Sequence, residues 1–425
     1  MDDKSLHELF ARAIATEPPA GPMARNALRA GLRLRRRRRI EGATAGAAVI
    51  AAIAVAVPAL SGAPGTGGHP PPAAGKHGHG RAPAVYVANT NAVPGTVTPI
   101  STATNRAGKP VKAGPTPSAL VATPDGRTVY VGNYSPETVT PISTSTNTAG
   151  RPIKIGVVPY VMTITPDGRT IYVASKGPAK VIPVATATNT PGKAIKIGGR
   201  KARIDALMVT PDGKTVYAVD YGQDTVTPIA TATGTAGKPI RVGAGPAEIA
   251  ITPDGRTAYV SNDDSGTVTP IDIATNTAGK PIKVGAGPGA LAVTPDGRTV
   301  YVASYDAGTV TPIPVATNRP AKPVSVGPDP YLLAITPDGK TMYALSYHAG
   351  TVTPVATATN TAGKPVRTGQ RPIAIVITPD GKQAYVACLG NLAGPGTVTP
   401  IATATSTAGK PIRVGAGPTA LVIAR

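Results

Sequence analysis

Residues 247–288 read AEIAITPDGRTAYVSNDDSGTVTPIDIATNTAGKPIKVGAGP, and this stretch decides the fold. Ala247–Thr252, Thr257–Ser261 and Thr267–Ile273 are short runs rich in apolar and β-branched residues, the pattern of strands. Between the first two, Pro253-Asp254-Gly255 has the chemistry of a tight turn, with Pro fixing φ and Gly accepting a positive φ. Asn276-Thr277-Ala278-Gly279 turns into a fourth strand, Lys280–Val284. Gly285-Ala286-Gly287-Pro288 then crosses into the next copy. Four short antiparallel strands per period make one blade of a propeller.

Working outward, Thr-Pro-Asp-Gly occurs seven times, with its Asp at 125, 167, 212, 254, 296, 338 and 380. The spacing is 42 residues, once 45, in the range of propellers and arrays. The second-strand Tyr occurs eight times (Tyr86, Tyr130, Tyr172, Tyr217, Tyr259, Tyr301, Tyr343, Tyr385), and so does the third-strand Pro (Pro99 through Pro400). Seven first strands precede a Thr-Pro-Asp-Gly, while an eighth, Thr419–Ala424, ends the chain. The first unit begins at Ala84 with its second strand. The last strand is therefore expected to complete the first blade, which removes the open edges of a linear array. The 342 residues from Ala84 to Arg425, shared among eight blades, give 42.75 each, matching the period. The expected class is all-β: an eight-bladed propeller of four-stranded antiparallel blades, preceded by short N-terminal helices, one of them membrane-spanning.

The repeat resembles the YVTN family of β-propeller repeats, known from cell-surface proteins. The resemblance rests on Tyr86-Val87-Ala88-Asn89-Thr90, on Thr-Pro-Asp-Gly, and on Thr267-Val268-Thr269-Pro270-Ile271-Asp272 with Ala274-Thr275-Asn276. It covers about four-fifths of the chain and implies an extracytoplasmic propeller without a single chemistry. Eight blades exceed the seven usual there, and a Pro in every third strand departs from the pattern. That Pro removes a ladder donor, and the fourth strands carry Pro beside Lys or Arg. Pairing of third with fourth strand is expected to be short or irregular, and Pro with charge protects the outer edge.

Before the propeller, residues 1–39 read as a basic, helical, cytoplasmic segment opened by a Ser5–Glu8 capping box. Residues 40–60 hold an uncharged run, Gly42–Leu60, which as a helix approaches the thickness of a bilayer. Arg33, Arg35, Arg36, Arg37, Arg38 and Arg39 precede it and place that side in the cytoplasm. A retained single-pass anchor is expected, with secretion after signal cleavage as the alternative. Residues 61–83 form a Gly/Pro/His-rich linker and 84–425 the propeller.

Composition narrows the function. One Cys and one His beyond residue 83 exclude a disulfide scaffold and Cys- or multi-His metal centres in the propeller. No catalytic set, metal site or cofactor motif is recognisable. The net charge of +21 divides between the arginines beside the apolar run and the outer edge strands, so no nucleic-acid partner is expected.

Successive strands run up and down, so one face carries the near-identical Thr-Pro-Asp-Gly turns. The other carries the second-to-third loops and blade crossings, which vary. Binding usually resides in loops on such a scaffold. Six tyrosines outside the structural eight map there: Tyr134, Tyr160, Tyr221, Tyr305, Tyr331 and Tyr347. So do seven acids of blades 4–6: Asp205, Asp220, Asp224, Glu248, Asp263, Asp264 and Asp306. These are the candidate ligand-face residues. The expected function is a membrane-anchored extracytoplasmic module that binds a protein, peptide or envelope polymer. The alternatives are a lactonase-like or other hydrolytic propeller, with Asp205 and Glu248 near the channel mouth, and a transmembrane sensor with a cytoplasmic partner. His348 reads as a surface residue of a loop and Cys388 as a structural small residue.

Overall fold

The computed structural model describes residues 83–424 apart from 93, 176–178 and 391–393. The segment 1–39 expected to be cytoplasmic, with its arginines, the expected membrane span 40–60 and most of the expected linker lie outside the described residues. Among the described residues no helix is long and apolar enough to cross a membrane.

These residues form eight antiparallel sheets, one per blade. Blade 5 shows the layout. Its first strand, Pro246–Ile251, pairs with Thr257–Asn262, which pairs with Thr267–Asp272. The first strand starts and ends one residue earlier than its sequence suggests, because Thr252 belongs to the turn. The Thr252 hydroxyl donates to Asp254 Oδ1 at 2.6 Å, and the same oxygen accepts the Arg256 N–H at 3.0 Å. The Thr257 N–H closes back on Thr252 Oγ1 at 3.1 Å, while Gly255 takes φ +69°. An L-residue with a Cβ is disfavoured at that angle. The network recurs in all seven turns, so Thr, Asp and Gly are each required.

The fourth strand departs from a single segment. It is split into Thr277–Ala278 and Ile282–Lys283, both paired to the third strand. Pro270 explains the break. It offers no N–H, but its carbonyl accepts the Gly279 N–H at 2.8 Å. A Cβ on Gly279 would lie 3.1 Å from the Pro270 ring, so Gly lets the chain cross over the proline before pairing resumes. Third-strand Pro and fourth-strand Gly are thus one device, and the expected irregular pairing has a specific form.

Blade is joined to blade in two ways. Apolar clusters fill each interface: Ala250, Tyr259, Val268 and Val284 of blade 5 meet Leu291, Val300, Val302 and Ile313 of blade 6. The buried Tyr then reaches across with its hydroxyl. Tyr217, Tyr259 and Tyr301 donate to Asn276, Asn318 and Asn360 of the next blade at 2.6, 2.7 and 2.7 Å. Each of these Asn residues occupies the left-handed region at φ +53°, which Asn tolerates. Tyr172 differs, because Gly234 stands where the Asn would be. The ring closes as expected: Pro418–Ala424 pairs with Ala84–Asn89, and Tyr385 of blade 8 donates to Asn105 of blade 1 at 2.5 Å.

Candidate functional site

Eightfold repetition gives a filter. A residue present in every blade answers to the fold, while one present in a single blade does not. The first strands adjoin one another in a closed ring around the central channel. The repeat position just inside the channel mouth, equivalent to the fourth residue before the turn Thr, is Ala420, Ala119, Val161, Ala206, Ala290, Leu332 and Ala374 in seven blades. In blade 5 it is Glu248, and its cross-strand neighbour is Ser261, the one polar residue at that position. The Glu248 N–H donates to Ser261 Oγ at 3.2 Å. A bulge between Pro246 and Glu248 sets this register.

Glu248 lies deep among protein atoms yet keeps partial solvent access. That combination describes a side chain lining a narrow passage. Burial raises its carboxyl to about 8, opposed by the Leu291 N–H. Tyr331, on the first strand of blade 7, feels that charge: burial pushes its phenol far above its ordinary value, with Glu248, Tyr347 and Tyr305 adding in the same direction. Tyr160, on the first strand of blade 3, is raised likewise, by burial and then by Asp205 and Tyr331.

Two arms rise around this centre. In blade 4, Arg203 clamps Asp205 with two hydrogen bonds, of 2.9 and 2.5 Å. Its guanidinium stacks 3.9 Å from the Tyr221 ring centroid, and the Tyr221 hydroxyl donates to Asp264 of blade 5 at 3.3 Å. In blades 6 and 7, His348 Nδ1 lies 2.8 Å from Asp329 Oδ2 and 3.4 Å from the Tyr305 hydroxyl. The Tyr347 ring packs edge-on against His348 at 5.0 Å and 6.3 Å from Tyr331. Arg203 and Asp329 were missed in the sequence, and His348 was read as a surface residue. The Arg203-x-Asp205 spacing on one strand face was a usable signal for the first, whereas nothing local marks the pairing of residues 329 and 348.

The structure thus brings together Tyr160, Asp205, Tyr221, Glu248, Asp264, Tyr305, Tyr331 and Tyr347. Four other candidates stand apart. Tyr134 is 60% exposed on blade 2. Asp220 is buried and organises its own loop, accepting from the Arg203 and Gly222 N–H groups at 2.7 and 3.0 Å and from Gln223 at 3.0 Å. Asp224 accepts the Gly245 N–H at 2.8 Å and holds a blade crossing. Asp306 is exposed at a loop tip. Asp263 is half-buried on the same rim, its N–H bonded to the Gly245 carbonyl at 2.8 Å. Cys388 is buried, and burial pushes its thiol up to about 12, consistent with a structural role.

Among the described residues no group of three or more His, Cys, Asp or Glu could hold a metal ion. A depression of about 420 Å³ lies on the opposite face, lined by Asp296, Tyr301 and Asp338. Those residues repeat from blade to blade and so fail the filter.

The sequence matches the family described as Lactonase, 7-bladed beta-propeller over residues 85–280 and 235–326. Among solved structures, hydrazine synthase of Kuenenia stuttgartiensis is 24% identical with a TM-score of 0.56, covering 68% of this chain and 96% of that one. Dihydro-heme d1 dehydrogenase NirN, in complex with DHE, is 14% identical with a TM-score of 0.67, covering 83% of this chain and 77% of that one. Both likenesses concern the fold. No curated protein matches the sequence.

Proposed function

The chain belongs to the lactonase family of β-propellers, with one blade more than the family's description, and from that premise we propose that it is a binding module. It is held at the outer side of a membrane through residues 40–60 and takes a protein, peptide or envelope polymer on its variable face. The observation that carries this reading is the convergence of residues occurring once, from blades 3 to 7, on one sector of one face. Tyrosines with partly exposed rings supply apolar contact and a hydroxyl together, which suits recognition. Replacing Tyr221, Tyr305 and Asp263 together with Ala should abolish retention of cell-surface material by the full-length protein. Unchanged recovery would reject this face. Protease added to intact cells should cut near residue 70, and protection there would reject the topology.

One observation favours a second reading, lactone hydrolysis. Glu248 is an enclosed acid at the channel mouth beside the Tyr331 phenol, and a carboxyl held protonated near neutral pH can donate to a carbonyl oxygen. Hydrolysis of simple γ- and δ-lactones, lost in Glu248→Ala, would support it. No turnover by the wild type would remove it.

A further inference from the structure

The fold gives no reason for Glu248. Seven blades close the same position with Ala, Val or Leu, and five of those seven use Ala. Burying a carboxylate is expensive unless a cation or several hydrogen bonds answer it. Among the described residues no Lys, Arg or His forms an ion pair with Glu248, and the Leu291 N–H is the polar group that reaches its carboxyl. The nearby guanidinium, Arg203, is already committed to Asp205 and to the Tyr221 ring. Among the described residues the negative charge thus lacks a cationic partner, at a position on the channel wall that keeps partial solvent access.

We propose that Glu248, on the first strand of blade 5 opposite Ser261, is the seat for a single alkyl ammonium group carried by the ligand. This deepens the binding-face reading and rests on it. An ammonium needs one counter-charge, oxygen acceptors and the faces of aromatic rings. Glu248 supplies the first, and the Tyr331 and Tyr160 phenols the others. A hard divalent cation needs six or more oxygens, commonly several carboxylates, and a lone carboxylate with phenols is a poor set for it. The surrounding field has the right sign. Asp263, Asp264 and Asp329 lie on the same rim, so a cation is drawn to this face although the chain as a whole is strongly basic. The titratable group coupled to Glu248 is Tyr331, which is coupled in turn to Tyr160 and Tyr305 and packs 6.3 Å from the Tyr347 ring. None of these carries a positive charge that would compete. Because burial holds the carboxyl protonated at neutral pH, seating an ammonium there releases a proton to solvent.

The test is titration calorimetry of the full-length protein with n-butylammonium and with the blocked peptide acetyl-Gly-Lys-Gly-amide. n-Butanol and calcium chloride serve as comparisons. Saturable binding of at least one ammonium probe is expected, weakened roughly tenfold or more in both Glu248→Gln and Glu248→Ala. Butanol and calcium should leave the site empty. Tighter binding of the peptide assigns the ammonium to a lysine side chain, and tighter binding of butylammonium to a free amine. Heats measured at pH 7 in buffers of different ionisation enthalpy should show a released proton in the wild type and none in Glu248→Gln. Glu248→Ala reproduces what five other blades carry, so it should fold. No saturation by about 50 mM of either probe, equal binding in Glu248→Gln, or preference for calcium would overturn the inference. If the amines fail to bind while the Tyr221/Tyr305/Asp263 variant still loses its surface partner, the ammonium seat falls and the reading of the face stands. The reverse pattern separates the two in the other direction.

Discussion

The two faces of this propeller handle polar side chains in opposite ways. On the Thr-Pro-Asp-Gly face every Asp is answered within its own turn by a Thr hydroxyl and a backbone N–H, and the arrangement is printed seven times. Its partner Arg or Lys adds only an exposed pair at 3.7–3.9 Å, worth little in water. On the variable face polar groups occur once and find partners in other blades, as Tyr221 does with Asp264 and Tyr305 with His348. Glu248 finds no charged one. Repetition marks what the fold needs, and its interruption marks what the fold only tolerates.

The most severe way to break the comparison is to break the ring that supports both faces. Removing residues 418–425 leaves Ala84–Asn89 without its inner neighbour and exposes a buried edge. Cooperative thermal unfolding should disappear, and size-exclusion chromatography should show self-association. Next comes a repeated residue. Tyr259→Ala, which empties a fully buried site, should cost about 3–5 kcal/mol in urea unfolding.

The acids of the two faces should then respond to pH with opposite sign. Hydrogen bonding by Thr165 and by the Arg169 N–H holds Asp167 below its ordinary 3.8. The unfolded chain therefore binds the extra proton, and the stabilisation is present above pH 3.8 and lost as pH falls through the folded value. Asp167→Asn should cost about 1 kcal/mol at pH 7 and progressively less in acid. Glu248 is raised from 4.5 to about 8, so here the folded chain binds the extra proton. Its contribution is fully present below pH 4.5 and lost as pH rises through 8. The melting temperature of Glu248→Ala should therefore gain on the wild type between pH 5 and pH 9. A constant difference would show that the carboxyl is not enclosed.

A smaller change sharpens the rule from the other side. Gly234 has φ +64° and room for a Cβ in ordinary contact with Ile195 Cδ1 at 3.9 Å, and Tyr172 of the preceding blade lacks the Asn or Ser found elsewhere. Gly234→Asn should restore the interblade bond and restrict the unfolded chain, adding about 1 kcal/mol by urea midpoint. The smallest effect belongs to a residue present once and packed against little. Tyr134→Ala should change stability by no more than about 0.5 kcal/mol.

The same asymmetry explains what the sequence could disclose. Eight copies of Tyr and Pro, with one unmatched strand at each end of the repeat, were enough for blade count and closure. The Pro of the third strand announced an interruption. That both halves of the fourth strand would return to the same neighbour depends on the Gly279 crossing of Pro270, a matter of backbone path. At the mouth, Tyr160, Tyr331, Asp205 and Glu248 were visible as exceptions to the repeat. The bulge that sets the Glu248 register recurs in seven of the eight blades, so it belongs to the fold, and that Glu248 lines the channel depended on the closed ring of first strands. Asp220 and Asp224 looked like surface acids and are loop braces, because composition cannot tell a carboxylate facing solvent from one facing N–H groups. Arg203, His348 and Asp329 required the third dimension.

The strand Ala84–Asn89 is at once the latch of the ring and the point where the preceding chain joins it. It is held on both sides, by Pro418–Ala424 and by Thr96–Ser101, in ladders six residues long. A pull transmitted through residue 83 runs along that strand and loads both ladders in shear, with their bonds sharing the force. Tension on the preceding chain would thereby be borne by the whole blade, with the rest of the ring shut until the blade itself gives way.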